Sequence, residues 1–179
     1  MDVLTGLGLS GAAGLNAWLP AFAGALLTRL GVVDLGEPFD RLSEDLPLIV
    51  LGVLTAGDFV GDKIPAVDHV LHGAGTVIAP LSGTVLFTGE TDASVLVSLL
   101  AGGSTAGAVH AARAAIRPVS TVTTAGIGNP VLSLLEDAAS ALLTLFAFVV
   151  PVIAVLAVVA LLVLGLVLWR QRRRRIASA

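Results

Sequence analysis

Between Asp137 and Arg170 the chain runs for 32 residues, Ala138 to Trp169, without one charged side chain. A helix of that length would reach about 48 Å at 1.5 Å per residue, against roughly 30 Å for the hydrocarbon core of a bilayer. The stretch must therefore break or tilt. Pro151 cannot continue the hydrogen bonding of a preceding turn, so it divides the stretch into helices over about 130–149 and 151–169. One long tilted helix is the alternative, because Phe148, Val149 and Val150 form no polar turn. The rest of the chain has the same character: of 179 residues, 56% are hydrophobic and 13% charged, about half the charge that a water-soluble domain carries. The expected fold class is all-α, a polytopic membrane helix bundle surrounded by lipid.

About 20 residues per crossing leaves room for six helices. The first covers about 3–27 and is rich in small residues, Gly6, Gly8, Gly11 and Gly14 among them, which let helix backbones approach closely in lipid. Ala21-Phe22-Ala23 imitates a signal-peptidase site, but Asp2 is the only charge before Arg29 and a signal peptide needs a basic leader, so the helix is read as retained. An acidic loop follows over 31–45, with Ser43 as cap for a second helix over about 46–63. The third, about 68–88, is interrupted by Gly73, Gly75, Pro80 and Gly83 and reads as a discontinuous helix. The fourth covers about 93–117 and ends at Pro118; Asn129 and Pro130 then cap and start the fifth. Residues 1–170 form one transmembrane domain and 171–179 a short basic tail.

Orientation follows from charge. Arg170 and Arg172 to Arg175 directly follow the last apolar run, which places the C-terminus in the cytoplasm. With six crossings the N-terminus is cytoplasmic as well, and eight basic residues lie inside against two outside; with five crossings the division is seven to three. Six is favoured and five remains open. The expected location is the inner, or cell, membrane.

Polar residues inside spans are costly and pair in the bundle interior. Asp58 and Asp62 lie one turn apart on the second helix, Glu136 and Asp137 two turns into the fifth, and His110 and Arg113 on the inner half of the fourth. These, with Lys63, form an expected buried network, and Asn16 lies nearer the midplane. Two roles are open: glue that fixes helix neighbours, in a non-transporting scaffold or assembly subunit, or a pathway for a small solute or ion with His110 as relay. An enzyme is not expected, since no nucleophile elbow, HExxH or phosphate-binding loop is present, and no catalytic residue is assigned. Asp68, His69 and His72 make a poor zinc site without a second ligand pair. No cofactor is expected. With no cysteine, disulfides, thiolate nucleophiles and sulfur metal sites are excluded. Expected partners are membrane lipids and a second copy through small-residue faces; a short basic tail beside an apolar span does not suit nucleic acid.

Gly8 to Ala17 can be laid over Gly102 to Ala111 without gaps, with Gly8, Ser10, Ala12 and Ala17 matched and Asn16 falling on His110. If this is a repeat, it implies two three-helix halves inserted in opposite directions, although the carboxylates do not superpose at the same offset.

The run Asp58-Phe-Val-Gly-Asp62-Lys63-Ile64-Pro65-Ala-Val-Asp68, the run Gly128-Asn129-Pro130-Val-Leu-Ser133-Leu-Leu-Glu136-Asp137 and the early Gly-Leu-Ser-x-Ala-Ala-Gly-Leu-Asn segment together resemble a bacterial membrane family, domain of unknown function 4126. The resemblance covers nearly the whole chain apart from the basic tail. Asp58 stands where the family commonly has glutamate, which keeps the charge, and Gly61 where alanine is common, which eases packing. The resemblance implies a polytopic membrane protein and supplies no activity.

Overall fold

Asn16-Ala-Trp-Leu-Pro20 places a prolyl ring four residues after an asparagine, where the ring clashes with the asparagine carbonyl and offers it no N–H. The chain breaks there. In the computed structural model, which describes residues 3–33, 39–124 and 127–177, α1 covers Val3–Leu15 and α2 covers Leu19–Arg29. The single helix expected over 3–27 is thus two short ones. Asp34 and Glu37 of the acidic loop lie outside the described residues, as does the side chain of His69.

All described secondary structure is helical. A short 3₁₀ turn, Phe39–Ser43, leads into α3, Asp45–Gly61. Ser43 does not cap α3 as expected; its hydroxyl donates to the Asp40 carbonyl at 2.6 Å, and Glu44 occupies the cap position. The next helix, α4, runs unbroken from Pro65 to Thr91 through Pro80, with Thr84 Oγ1 donating to the Pro80 carbonyl at 2.8 Å. The interruption expected in the third span is therefore in the first. α5, Val95–Ser98, passes through a π-helical stretch, Leu99–Gly103, into α6, Ser104–Thr124. Pro118 lies inside α6 and does not end it. Asn129 is the first residue of α7, Asn129–Val149, with Gly128 at the cap, one position earlier than expected. Only Val150 separates α7 from α8, Pro151–Ala177, at the boundary that Pro151 predicts.

The contacts fix the direction of each helix. α4 is antiparallel to α1: Gly6 lies against Phe87, and Ser10 Oγ donates to the Gly83 carbonyl at 2.9 Å. α6 is parallel to α1, with Gly14 against Ala106 and Val109. α7 is antiparallel, since Ser140 Oγ donates to the Ala12 carbonyl at 2.9 Å while Ala147 lies against Gly8. α8 returns beside it, Ala154 at Gly8 and Val158 at Gly11, so α7 and α8 form a hairpin. α1 is the hub, buried continuously from Gly8 to Leu15.

α2 and α3 are antiparallel, with Phe22 against Gly52 and Arg29 paired with Asp45 at 2.5 Å. α3 then descends along α7 towards Ser133, whose hydroxyl donates to Asp62 Oδ2 at 2.9 Å. α2 must therefore climb back the way α1 came. Ala17 agrees: its carbonyl accepts from Ser82 Oγ at 2.6 Å, next to the Gly83 carbonyl that Ser10 contacts. α1 enters the bundle for about 20 Å, turns at Asn16 to Trp18, and α2 leaves on the side of entry.

Four stretches are long and apolar enough to cross a membrane: Val70–Thr91, Val95–Thr124, Asn129–Val149 and Pro151–Gln171. Large apolar side chains of α3, including Leu46, Ile49 and Val53, are exposed. The glycine faces are used within the chain, where Gly83 meets Gly102, and Gly165 meets Ala112. The two segments proposed as an inverted repeat lie in the parallel helices α1 and α6, whereas oppositely inserted halves would set them antiparallel.

Candidate functional site

Acids and bases gather where α1 ends. His110, Arg113 and Arg117 follow one another at intervals of three and four, on one face of α6. Arg113 serves three acceptors: Nε donates to Glu136 Oε2 at 2.6 Å, Nη2 to Asp62 Oδ2 at 3.0 Å and Nη1 to the Leu15 carbonyl at 2.6 Å. The last contact puts a cation at the negative end of the α1 dipole. Arg117 donates to Glu136 Oε2 at 2.7 Å and to Asp68, and lies 3.6 Å from Asp62. Asp68 stands in the first turn of α4, where the helix dipole also favours a carboxylate.

A second group lies beside this one. Asp58, Asp62 and Asp137 each bring a carboxylate oxygen within 4.8 Å of the others. Asn16 ties the group to the break: its Nδ2 donates to Asp137 Oδ1 at 2.9 Å, while its Oδ1 accepts from the Trp18 and Leu19 N–H groups at 3.1 and 3.0 Å and so caps α2. The second oxygen of Asp137 is buried with no hydrogen-bond partner. His110 packs against His72, ring centroids 4.9 Å apart, in space that Gly75 leaves open. Its Nε2 also lacks a partner.

Part of this cluster lines one cleft, walled by α1, α3, α4 and α6 and the Ala17–Trp18 break: Asp58, Asp62, His72, His110 and Arg113. Its interior offers about 30 Å³ for the centres of water molecules, enough for one or two waters.

The sequence-nominated residues thus divide. Asp62, Arg113 and Glu136 join in ion pairs, and Asp58, Asp137, Asn16 and His110 surround the cleft and the break. Lys63 does not join them. It follows the last turn of α3 and curls back, Nζ donating to the Phe59 carbonyl at 2.5 Å and sitting 3.5 Å above the Phe59 ring. Arg117, one turn after Arg113 on α6, takes the place expected for Lys63. Asp68, Ser133 and His72 were also not nominated for the network. The spacing of His110, Arg113 and Arg117 was the signal that could have found Arg117.

A family model, "Domain of unknown function (DUF4126)", matches residues 3–171. The chain belongs to that family. No curated protein and no solved structure matches it. The matched region takes in the whole DUF4126 bundle and every residue of the cleft.

Asn16→Ala is expected to destabilise this member of DUF4126 by about 1–2 kcal/mol through loss of the α2 cap, read as a lowered midpoint of thermal unfolding. Asn16→Asp keeps a capping oxygen but sets a carboxylate against Asp137, so it should be the worse of the two. The reverse order would show that the contact to Asp137 carries no weight.

Proposed function

We propose that the protein resides in the cell membrane and lets a small ion or solute enter the bundle from the cytoplasm as far as the tip of the α1–α2 hairpin. In this reading α3, α4, α5 with α6, α7 and α8 make five crossings, and α1 with α2 is a re-entrant hairpin. The eight-to-two division of basic residues is unchanged from the six-crossing arrangement, because only the N-terminus changes side and it carries no base. The C-terminal arginines and Lys63 face the cytoplasm; Arg173, 4.2 Å from the Trp169 ring, suits the interface there.

One observation carries the reading: a polar cleft at the meeting point of two half-helices is lined by Asp58, and Asp137 brings an oxygen within 4.8 Å of Asp58 behind that lining, neither making an ion pair among the described residues. Broken helices are tolerated in membranes where they line a cavity, and their free backbone groups are suited to ions. The ion-paired half, Asp62, Asp68, Glu136, Arg113 and Arg117, favours the scaffold reading instead, since its charges hold helices together.

Flux separates the two. In reconstituted vesicles assayed for H⁺, Na⁺, K⁺ and Mg²⁺ movement, Asp58→Asn should abolish flux and leave the unfolding midpoint unchanged. Glu136→Gln should lower both, since Glu136 receives both arginines. No flux above that of empty vesicles for any of these ions would leave the scaffold as the function.

A further inference from the structure

We propose that Asp58, Asp62 and Asp137 form a binding site for one hard divalent cation at the tip of the α1–α2 hairpin. This deepens the function proposed above and rests on it for the route by which the ion arrives. Around the cleft, five carboxylates (Asp58, Asp62, Asp68, Glu136, Asp137) face two guanidiniums (Arg113, Arg117) and the Lys63 ammonium, which is close enough to act on Asp137, so two negative charges remain if all ionise. The arginines are committed to Asp62, Asp68 and Glu136, so the deficit falls on Asp58 and Asp137. Uncompensated charge away from water is expensive and is relieved by a counterion or a proton.

The donor set suits a hard cation. Three carboxylate oxygens lie within 4.8 Å of one another on two different helices, the oxygen-rich surround that Mg²⁺, Mn²⁺ and Ca²⁺ take. Asn16 orients Asp137 through Oδ1 and leaves the buried Oδ2 without a hydrogen-bond partner. Asp62 is held through its Oδ2 by Arg113 and Ser133. These are outer contacts of the kind that fix ligand orientation.

A separate observation points into the same space. His110 lines the same cleft as Asp58 and Asp62, is only 5% exposed and has no partner for Nε2. The cleft has room for one or two waters, and a small divalent ion that gives up its hydration reluctantly keeps water in its shell. The unpartnered Nε2 of His110 in that cleft would hydrogen-bond such a water.

Purified protein in detergent, titrated with Mn²⁺ and followed by electron paramagnetic resonance, should take up one equivalent saturably, and Mg²⁺ should compete. Asp58→Asn and Asp137→Asn should each weaken binding by at least about tenfold, because affinity follows the count of charged ligands. Asp45→Asn, on the exposed pair with Arg29, should bind as wild type. Absence of saturable Mn²⁺ uptake by the wild type would overturn the site whatever the variants do, and so would wild-type affinity in a folded Asp58→Asn. Should Asp137→Asn fail to fold, Asp58→Asn on the cleft wall decides. Binding without flux leaves the site standing and removes the transport reading; flux without binding does the reverse.

Discussion

Arg113→Ala is expected to remove about 3–5 kcal/mol of stability, the cost of breaking a buried ion pair from one side. The side chain is 9% exposed and bridges Asp62, Glu136 and the Leu15 carbonyl, so its loss leaves two carboxylates and the end of α1 without their shared donor. Against a total of about 5–15 kcal/mol for a folded domain, much of the protein should fail to survive purification. Arg113→Lys should not restore it, because one ammonium cannot reach three acceptors fixed by a planar fork. Thermal unfolding in detergent checks this, and a loss below about 1 kcal/mol would contradict the central place given to Arg113.

Gly102→Ala and Gly57→Ala are expected to change stability in opposite directions. A Cβ at Gly102 would lie 2.3 Å from the Gly83 carbonyl oxygen and 2.5 Å from Phe87 Cβ. A carbonyl held in α4 cannot swing aside, so α4 and the π-helical stretch that leads into α6 must separate, at about 1–3 kcal/mol or more. At Gly57 a Cβ meets nothing within 4 Å, and alanine gains up to about 1 kcal/mol of helix propensity there. Comparing the two unfolding midpoints tests the packing directly; equal shifts would mean that α4 and the π-helical stretch are not in backbone contact.

Much of this was legible in the sequence because the relevant signals are local. The uncharged run and Pro151 located the α7–α8 boundary, and the shared depth of charges on three helices grouped Asp62, Arg113 and Glu136. Prolines were legible only in part. Pro20 breaks a helix, whereas Pro80 and Pro118 ride inside helices. The difference at Pro20 is the asparagine four residues earlier, whose amide caps the next helix and binds Asp137, and that second bond joins residues 121 apart in sequence. The return of α2 beside α1 was hidden for the same reason. Its direction is written in contacts with α3 and α4, and hydropathy alone reads two short apolar helices in series as one crossing.

The enclosure of α1 also bears on how the protein is assembled during synthesis. Its buried surface includes Thr5, Ser10 and five small residues between Gly8 and Gly14, which hold it by close backbone approach to its neighbours. The walls that accept it come from α4, α6, α7 and α8, all of which leave the ribosome later. The segment made before its neighbours is therefore the last to have its packing completed, as the keystone of a ring closed around it.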